Sequence, residues 1–289
     1  MARKSAVLIA GPTASGKSAL ALQRARESGG IIVNADALQV YVGLSVLTAR
    51  PTEADTARVR HYLYGVIGAE VRFSAGNWAR SAGLLIADSG DAPLYFVGGT
   101  GLHFEALTKG IAAVPSIPPE AQSWAEAEVA GLTREERGRL IAARDPEIAA
   151  RVKGPDPQRV IRALAVLRAT GRSLASFQDA VHRPLLEGYA LETIVLNPDR
   201  DILRQRIHDR FVAMLDHGAV EEVDTLVARG LDPTLPIMKA IGLREIAEWR
   251  AGRISRDEMI GQAVTATRQY AKRQRTWFRG RMSDWRWIA

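Results

Sequence analysis

Hydrophobic positions along the chain fall into two rhythms. Short, nearly unbroken apolar runs read as strands buried on both faces: Ala6-Val7-Leu8-Ile9-Ala10, Gly30-Ile31-Ile32-Val33-Asn34, Tyr62-Leu63-Tyr64-Gly65-Val66, Leu94-Tyr95-Phe96-Val97 and Leu191-Glu192-Thr193-Ile194-Val195-Leu196. Segments of helical spacing lie between them, the first over residues 18–26. Strands alternating with helices predict an α/β fold, a parallel sheet covered by helices on both faces. The rhythm changes between the fourth and fifth runs. Residues 115–186 have prolines at their edges, helical stretches such as 158–170 and no convincing strand. They predict a helical insertion in a core made of residues 1–114 and 187–289.

Composition adds exclusions. A chain of 289 residues that is 47% hydrophobic can bury a sizeable core, so most of it is not disordered. With Cys 0, disulfides, thiol nucleophiles and cysteine-ligated metal sites are excluded. The basic start Met1-Ala2-Arg3-Lys4-Ser5 is followed by an apolar run that breaks at Gly11-Pro12, too short for a signal peptide or a membrane span. The expectation is a cytoplasmic protein with no membrane partner, and nothing in the sequence demands more than a monomer.

The net charge of +7 is unevenly placed. Residues 265–289 hold seven cations against one acid, Asp284, together with Trp277, Trp285 and Trp287. Read as a helix, this segment stacks Arg268, Lys272, Arg275 and Arg279 on one face. Such a stripe beside aromatics suits a phosphate backbone and stacked bases. The same spacing also describes a solvated helix face with Tyr270 and Trp277 packed inward.

One motif carries specific chemistry. Gly11-Pro12-Thr13-Ala14-Ser15-Gly16-Lys17-Ser18 matches G-x-x-x-x-G-K-[ST] between a strand and a helix. Backbone N–H groups of such a loop wrap a diphosphate at the positive helix end, Lys17 neutralises it, and the Ser18 hydroxyl can hold Mg²⁺. Many phosphotransferases add a carboxylate at the end of a later strand. Here Leu94 to Val97 runs into Gly98-Gly99-Thr100 instead, and the acid, Asp36, follows the second strand. At that sheet edge it can be a base, a metal ligand or a cap.

Six blocks in order resemble the tRNA dimethylallyltransferases, also called tRNA isopentenyltransferases. They are the phosphate loop, Ala35-Asp36-Ala37-Leu38-Gln39-Val40-Tyr41, Thr48-Ala49-Arg50-Pro51, Val97-Gly98-Gly99-Thr100-Gly101, Asp156-Pro157-Gln158-Arg159-Val160-Ile161-Arg162-Ala163-Leu164 and Ala266-Thr267-Arg268-Gln269-Tyr270-Ala271-Lys272-Arg273-Gln274. The resemblance implies a P-loop NTPase-like core and transfer of a dimethylallyl group from dimethylallyl diphosphate to N6 of the adenosine just 3′ of a tRNA anticodon. It implies that Gly11 to Ser18 hold the diphosphate with Arg210 and Mg²⁺, that Asp36 takes the N6 proton, and that Thr100 sits beside the reacting centre. It implies tRNA contacts at Asp36, Ala37, Leu38 and Gln39, at Gln158, Arg159, Val160, Ile161 and Arg162, near Lys239 and Arg244, and along Lys272 and Arg275. The anticodon stem-loop is the expected partner, with the helical insertion sharing its recognition.

Three positions depart from the family pattern: Arg50 for a usual lysine, His103 for a usual tyrosine and Ala165 for a usual acid. His103 reads as a packed side chain. Other classes remain in play on the residues alone: a P-loop kinase of small molecules, a prenyltransferase of free adenine nucleotides, and an RNA-binding module without catalysis.

Overall fold

The computed structural model describes residues 4–152, 154–180 and 182–289, so the basic start Met1-Ala2-Arg3 lies outside the described residues. The chain divides into two compact units, residues 1–108 with 185–289, and residues 109–184. The second boundary falls two residues earlier than the apolar pattern suggests. Leu185 and Leu186 donate backbone hydrogen bonds to Ala106 and Leu107, which ties them to the larger unit.

The first half of the larger unit carries β1 (Ser5–Ala10), α1 (Lys17–Ser28), β2 (Ile31–Asn34), α2 (Glu53–Arg58), β3 (His61–Tyr62), α3 (Ala75–Asp88), β4 (Leu94–Gly98) and α4 (Gly101–Thr108). The smaller unit follows with α5 (Pro119–Val129), α6 (Arg134–Arg144), α7 (Pro146–Ala149), α8 (Pro157–Thr170) and α9 (Leu174–Gln178). The larger unit resumes with β5 (Ala190–Leu196), α10 (Arg200–Asp216), α11 (Ala219–Ala228), a 3-10 turn (Pro236–Lys239), α12 (Leu243–Arg250), α13 (Arg256–Arg281) and β6 (Arg286–Ile288).

The sheet runs in the order β3-β2-β4-β1-β5-β6, and every pairing is parallel. β1 is central, with Ile9 opposite Val97 of β4 and Ile194 of β5. Apolar residues face both ways along these strands because helices cover both sides, and Ile9, Ile32, Val97 and Ile194 join Ala21 and Ala25 of α1 in one core. The topology brings four chain crossings to one edge: the loop after β1, Asp36 after β2, the Gly99-Thr100 turn after β4, and the entry to α10 after β5. Ligands of open parallel sheets bind along this edge.

One strand expectation and one helix expectation need correction. The third strand ends at Tyr62, because Leu63 takes a left-handed φ of 63° and Gly65 one of 57°, turning the chain at residues the apolar pattern extends. The basic segment is not helical to its end. After Met282 the chain turns, and Arg286–Ile288 adds a parallel strand to β5, with Trp287 opposite Val195.

The smaller unit has its own core, in which Ala125, Val129, Ile141, Ile148, Val160 and Leu164 pack together. α8 starts where Asp156 accepts hydrogen bonds from the Gln158 and Arg159 N–H groups, with Pro157 in the first turn. Ala165 is fully buried in this core, so the position usually acidic in the family is here an apolar packing position.

Candidate active site

The phosphate loop is held by its own backbone. Gly16 precedes α1 at a φ of 92°, which glycine adopts without strain, and Ala14 sits at 62°, a conformation that costs a residue with a Cβ. No side chain caps the start of α1, so its first N–H groups are left to a ligand. Lys17 donates to the Pro12 carbonyl at 3.3 Å. Burial pushes its ammonium down to about 8, with Asp36 opposing the shift and Arg210 adding to it. A buried lysine partly stripped of solvent gains more from an anion than an exposed one does.

Asp36 follows β2 on a tightly tethered turn. Asn34, fully buried, accepts the Asp36 N–H at 2.7 Å and donates to the Asp36 carbonyl at 2.9 Å and the Leu63 carbonyl at 3.0 Å. The Asp36 Oδ1 accepts the Leu38 N–H at 3.0 Å. No helix starts at Asp36, so it is not a helix cap; the bond closes a turn and orients the carboxylate. Thr100 completes the turn: its N–H donates to the Ala35 carbonyl at 3.2 Å and its hydroxyl accepts the Ala37 N–H at 3.0 Å. His103 lies beneath, stacked on Trp78 at 4.1 Å between ring centroids. Burial drives it down to about 3, so it is a neutral packing residue.

One cleft brings Thr13 of the phosphate loop together with Asp36. Thr13, Asp36, Leu38, Thr48, Arg210 and Tyr270 line it with Leu47, Ile207, Phe211 and Ile241. The Arg210 guanidinium donates to the Thr13 hydroxyl, which places this α10 cation at the phosphate loop. Burial lowers its pKa, and Asp36 counteracts that. Two residues with no site role in the sequence reading enter here. Tyr270 of α13 faces the acid, its phenol pushed up by burial and then by Asp36. Gln274, one turn on, accepts the Thr13 N–H at 3.0 Å and donates to the Gly99 carbonyl at 2.9 Å. Their helical spacing is visible in the sequence; what that inward face meets is not.

The remaining expected residues divide by what they touch. Gln39 spends its amide on the Thr48 and Ala49 carbonyls at 2.8 and 2.9 Å, bracing the loop that carries Arg50. Arg50 donates to the Tyr41 carbonyl at 3.2 Å. Ala37 is exposed, as are Lys239 on the 3-10 turn and Arg244 at the start of α12. In the smaller unit Gln158, Arg159 and Arg162 are exposed on α8, whereas Val160 and Ile161 are core residues whose side chains cannot reach an RNA. They share a sequence block with the exposed residues but lie on the opposite face of the helix.

α13 also presents its cations. Arg268, Lys272, Arg275 and Arg279 line a groove about 460 Å³ in volume whose other wall is α10, with Arg200 and Arg204. Leu203, Ile207 and Ala271 form its apolar floor. The tryptophans do not accompany them. Trp285 is buried edge-on against Phe104, Trp277 lies against the Gly101 backbone, and Trp287 donates its indole N–H to the Met282 carbonyl at 3.0 Å. Base stacking by these three rings is therefore set aside; they pack the C-terminal segment onto the core.

The family model described as IPP transferase matches residues 39–281, and one described as isopentenyl transferase matches residues 4–71. The chain belongs to the IPP transferase family. It is 49% identical to a tRNA dimethylallyltransferase of Rhodopseudomonas palustris, over 99% of this chain and 92% of that protein. A tRNA dimethylallyltransferase of Chelativorans sp. is 48% identical over 98% of each chain. Among solved structures, the full-length tRNA isopentenylpyrophosphate transferase of Bacillus halodurans matches with a TM-score of 0.68 at 29% identity, over 99% of this chain and 90% of that one. A eukaryotic dimethylallyltransferase acting on tRNA matches with a TM-score of 0.76 at 24% identity, over 95% of this chain and 70% of that one, a likeness of fold. The α/β core is thus the P-loop-like core of this transferase family, and the family is one of prenyltransferases. No helix among the described residues is long and apolar enough to cross a membrane.

Proposed function

We propose that this protein transfers a dimethylallyl group from dimethylallyl diphosphate to N6 of the adenosine immediately 3′ of the anticodon in tRNA, releasing diphosphate. The observation that carries the reading is the single cleft in which Asp36 faces Thr13 and Arg210 of the phosphate site. A leaving diphosphate needs positive charge and N–H donors; an adenine amine, a poor nucleophile, needs a base. In the transfer, the N6 lone pair forms a bond to C1 of the allyl group. The C1–O bond breaks with its electron pair departing on the diphosphate, and the N6 proton passes to the Asp36 carboxylate. Gly11 to Ser18 wrap the diphosphate through backbone N–H groups, while Lys17 and Arg210 take up the charge that grows on the leaving oxygen. Thr100 holds the turn beside the reacting centre. Its hydroxyl already accepts the Ala37 N–H, so it positions the acid's loop while retaining an O–H to donate.

Ser18, exposed at the start of α1, offers a hard oxygen suited to Mg²⁺ beside the diphosphate oxygens. Among the described residues no cluster of three His, Cys, Asp or Glu side chains could hold an ion, so most of the metal's ligands would come from the substrate and water. When bound, Mg²⁺ supplies further positive charge to the leaving group.

The target base is stacked in the anticodon loop and must be extruded to reach Asp36. Ala37, exposed, and Leu38, in the cleft wall, follow the acid where a flipped base would enter. Lys272 and Arg275, with the groove between α10 and α13, suit the RNA backbone; Lys239, Arg244, Gln158, Arg159 and Arg162 are exposed groups available to the same partner. The cleft residues all lie in the larger compact unit, so one chain can furnish the site, and we propose a monomer as the active unit; a tRNA substrate supports work in the cytoplasm.

The test is incubation of the protein and Mg²⁺ with labelled dimethylallyl diphosphate and either unmodified tRNA or AMP. Label is expected in tRNA, at the adenosine following the anticodon. Label in AMP alone, or ATP turnover without prenyl transfer, overturns the reading in favour of a nucleotide prenyltransferase or a kinase.

A further inference from the structure

The phosphate loop and the acid-bearing turn are separate loops after different strands, yet the reaction depends on their spacing. One buried side chain joins the phosphate loop to the Gly99-Thr100 turn, and Thr100 in turn holds Ala35 and Ala37 on either side of the acid. Gln274 of α13 is only 5% exposed; its carbonyl oxygen takes the Thr13 N–H and its amide nitrogen gives to the Gly99 carbonyl. Thr13 is the residue whose hydroxyl receives Arg210, and Gly99 directly precedes Thr100. At Gly99 a Cβ would lie 2.1 Å from the Gln274 nitrogen and 3.4 Å from the Asp36 Oδ2, so only glycine lets the amide come this close. The two ends of the amide are chemically distinct, and each meets the partner it requires: an acceptor for an N–H, a donor for a carbonyl.

We infer that Gln274 is a positioning residue that fixes the distance between the leaving-group site and the general base by bridging Thr13 to Gly99. The inference rests on the prenyl-transfer reading for its rate consequences, but its effect on the phosphate loop is independent of that reading. A glutamine is required at this length and polarity. Gln274→Met fills the space and loses both bonds. Gln274→Glu keeps the acceptor for Thr13, and can donate to Gly99 only while its carboxyl is protonated. As a carboxylate it faces the Gly99 carbonyl with like charge.

The experiment measures melting temperature, inorganic diphosphate affinity by calorimetry, tRNA affinity, and kcat with KM for each substrate. Gln274→Met is expected to lose about ten- to hundredfold in kcat, the cost of misplaced reacting groups, with tRNA affinity unchanged. Its diphosphate affinity falls by about two- to twelvefold, the worth of one hydrogen bond. Gln274→Glu retains diphosphate affinity while its carboxyl is protonated, and its kcat relative to wild type declines as pH rises through the titration of the new carboxyl. A residue that merely packs α13 onto the core would lower the melting temperature in both variants without a step in that pH ratio and without a change in kcat for the folded fraction; that outcome overturns the inference. Should Gln274→Met not fold, the pH ratio of Gln274→Glu decides alone. If the wild-type protein moves no prenyl group, the functional reading fails, while the diphosphate affinities of the variants still test the bridge.

Discussion

The two faces of α13 make opposite uses of the same helix. Inward, Tyr270 and Gln274 meet the cleft and are tied by fixed partners: the glutamine bridges two loops, and the phenol is desolvated beside Asp36. Outward, Arg268, Lys272, Arg275 and Arg279 crowd like charges along a groove that Arg200 and Arg204 make more positive still. Inside, the Gln274 amide has a partner within the fold at each end, and its value lies in geometry. Outside, the cations repel one another, and in the proposed function their value lies in a polyanionic partner that is not part of the fold. Changes to the inner side should therefore appear in kcat, and changes to the outer face in affinity and salt dependence.

The largest expected effect is at the acid. Asp36→Ala should lower kcat by about 10²- to 10⁴-fold, the range for a lost general base, while filter binding shows that tRNA still binds. A wild-type kcat in that variant would remove Asp36 from its role.

Next comes the phosphate loop, read through pH. Lys17 titrates near 8 in the free protein because it is buried, and a diphosphate favours its charged form. Diphosphate affinity should be level below that pH and fall above it, by up to about tenfold per unit for a single linked proton. The ratio of wild type to Lys17→Met, followed by calorimetry across pH 7 to about 10, cancels the titration of the ligand itself; a flat ratio breaks the assignment. The same shift bears on stability with the opposite sign. The folded pKa lies below the unfolded value of 10.5, so between about 8 and 10.5 the unfolded chain binds more protons and the bare protein gains stability as pH rises.

On the outer face, removing both charges in Lys272→Gln/Arg275→Gln should weaken tRNA binding and leave kcat at saturating tRNA unchanged. The plot of log affinity against log salt should become shallower by about 1.4 to 1.8, the share of two phosphate contacts. An unchanged slope would return the stripe to a solvated helix face.

What the sequence made legible follows from how local each feature is. The phosphate loop and four of the five anticipated strands are encoded by short contiguous patterns, and they appear in the fold within a residue or two. The third strand was overextended because a left-handed Leu63 leaves no mark in hydropathy. β6 was hidden because Arg286-Trp287-Ile288 is three residues long and lies in a segment dominated by basic, helix-spaced residues. Val160 and Ile161 were grouped with Gln158, Arg159 and Arg162 because a motif block is linear, whereas contact depends on the helix face. Gln274 was visible only as part of a family block. Its partners Thr13 and Gly99 lie 261 and 175 residues away, a relation no local pattern carries.

The smallest expected effect separates the two faces most cleanly. Burial and the neighbouring Arg279 and Arg200 lower the Arg275 pKa, with Asp199 only partly offsetting them, so folding disfavours its charge. The Lys272→Gln/Arg275→Gln protein should accordingly be no less stable than wild type, and at low salt more stable by up to about 0.5 kcal/mol, the usual bound for surface changes. Chemical denaturation at two salt concentrations measures this: the gain should shrink at high salt, where repulsion is screened. A loss of stability would mean that these cations have partners within the fold, and the distinction between a face tied to the protein and a face kept for RNA would no longer hold. A gain in stability with a loss of tRNA affinity would indicate that the charge is maintained against the folding preference of the chain, as expected of a surface that serves a polyanion.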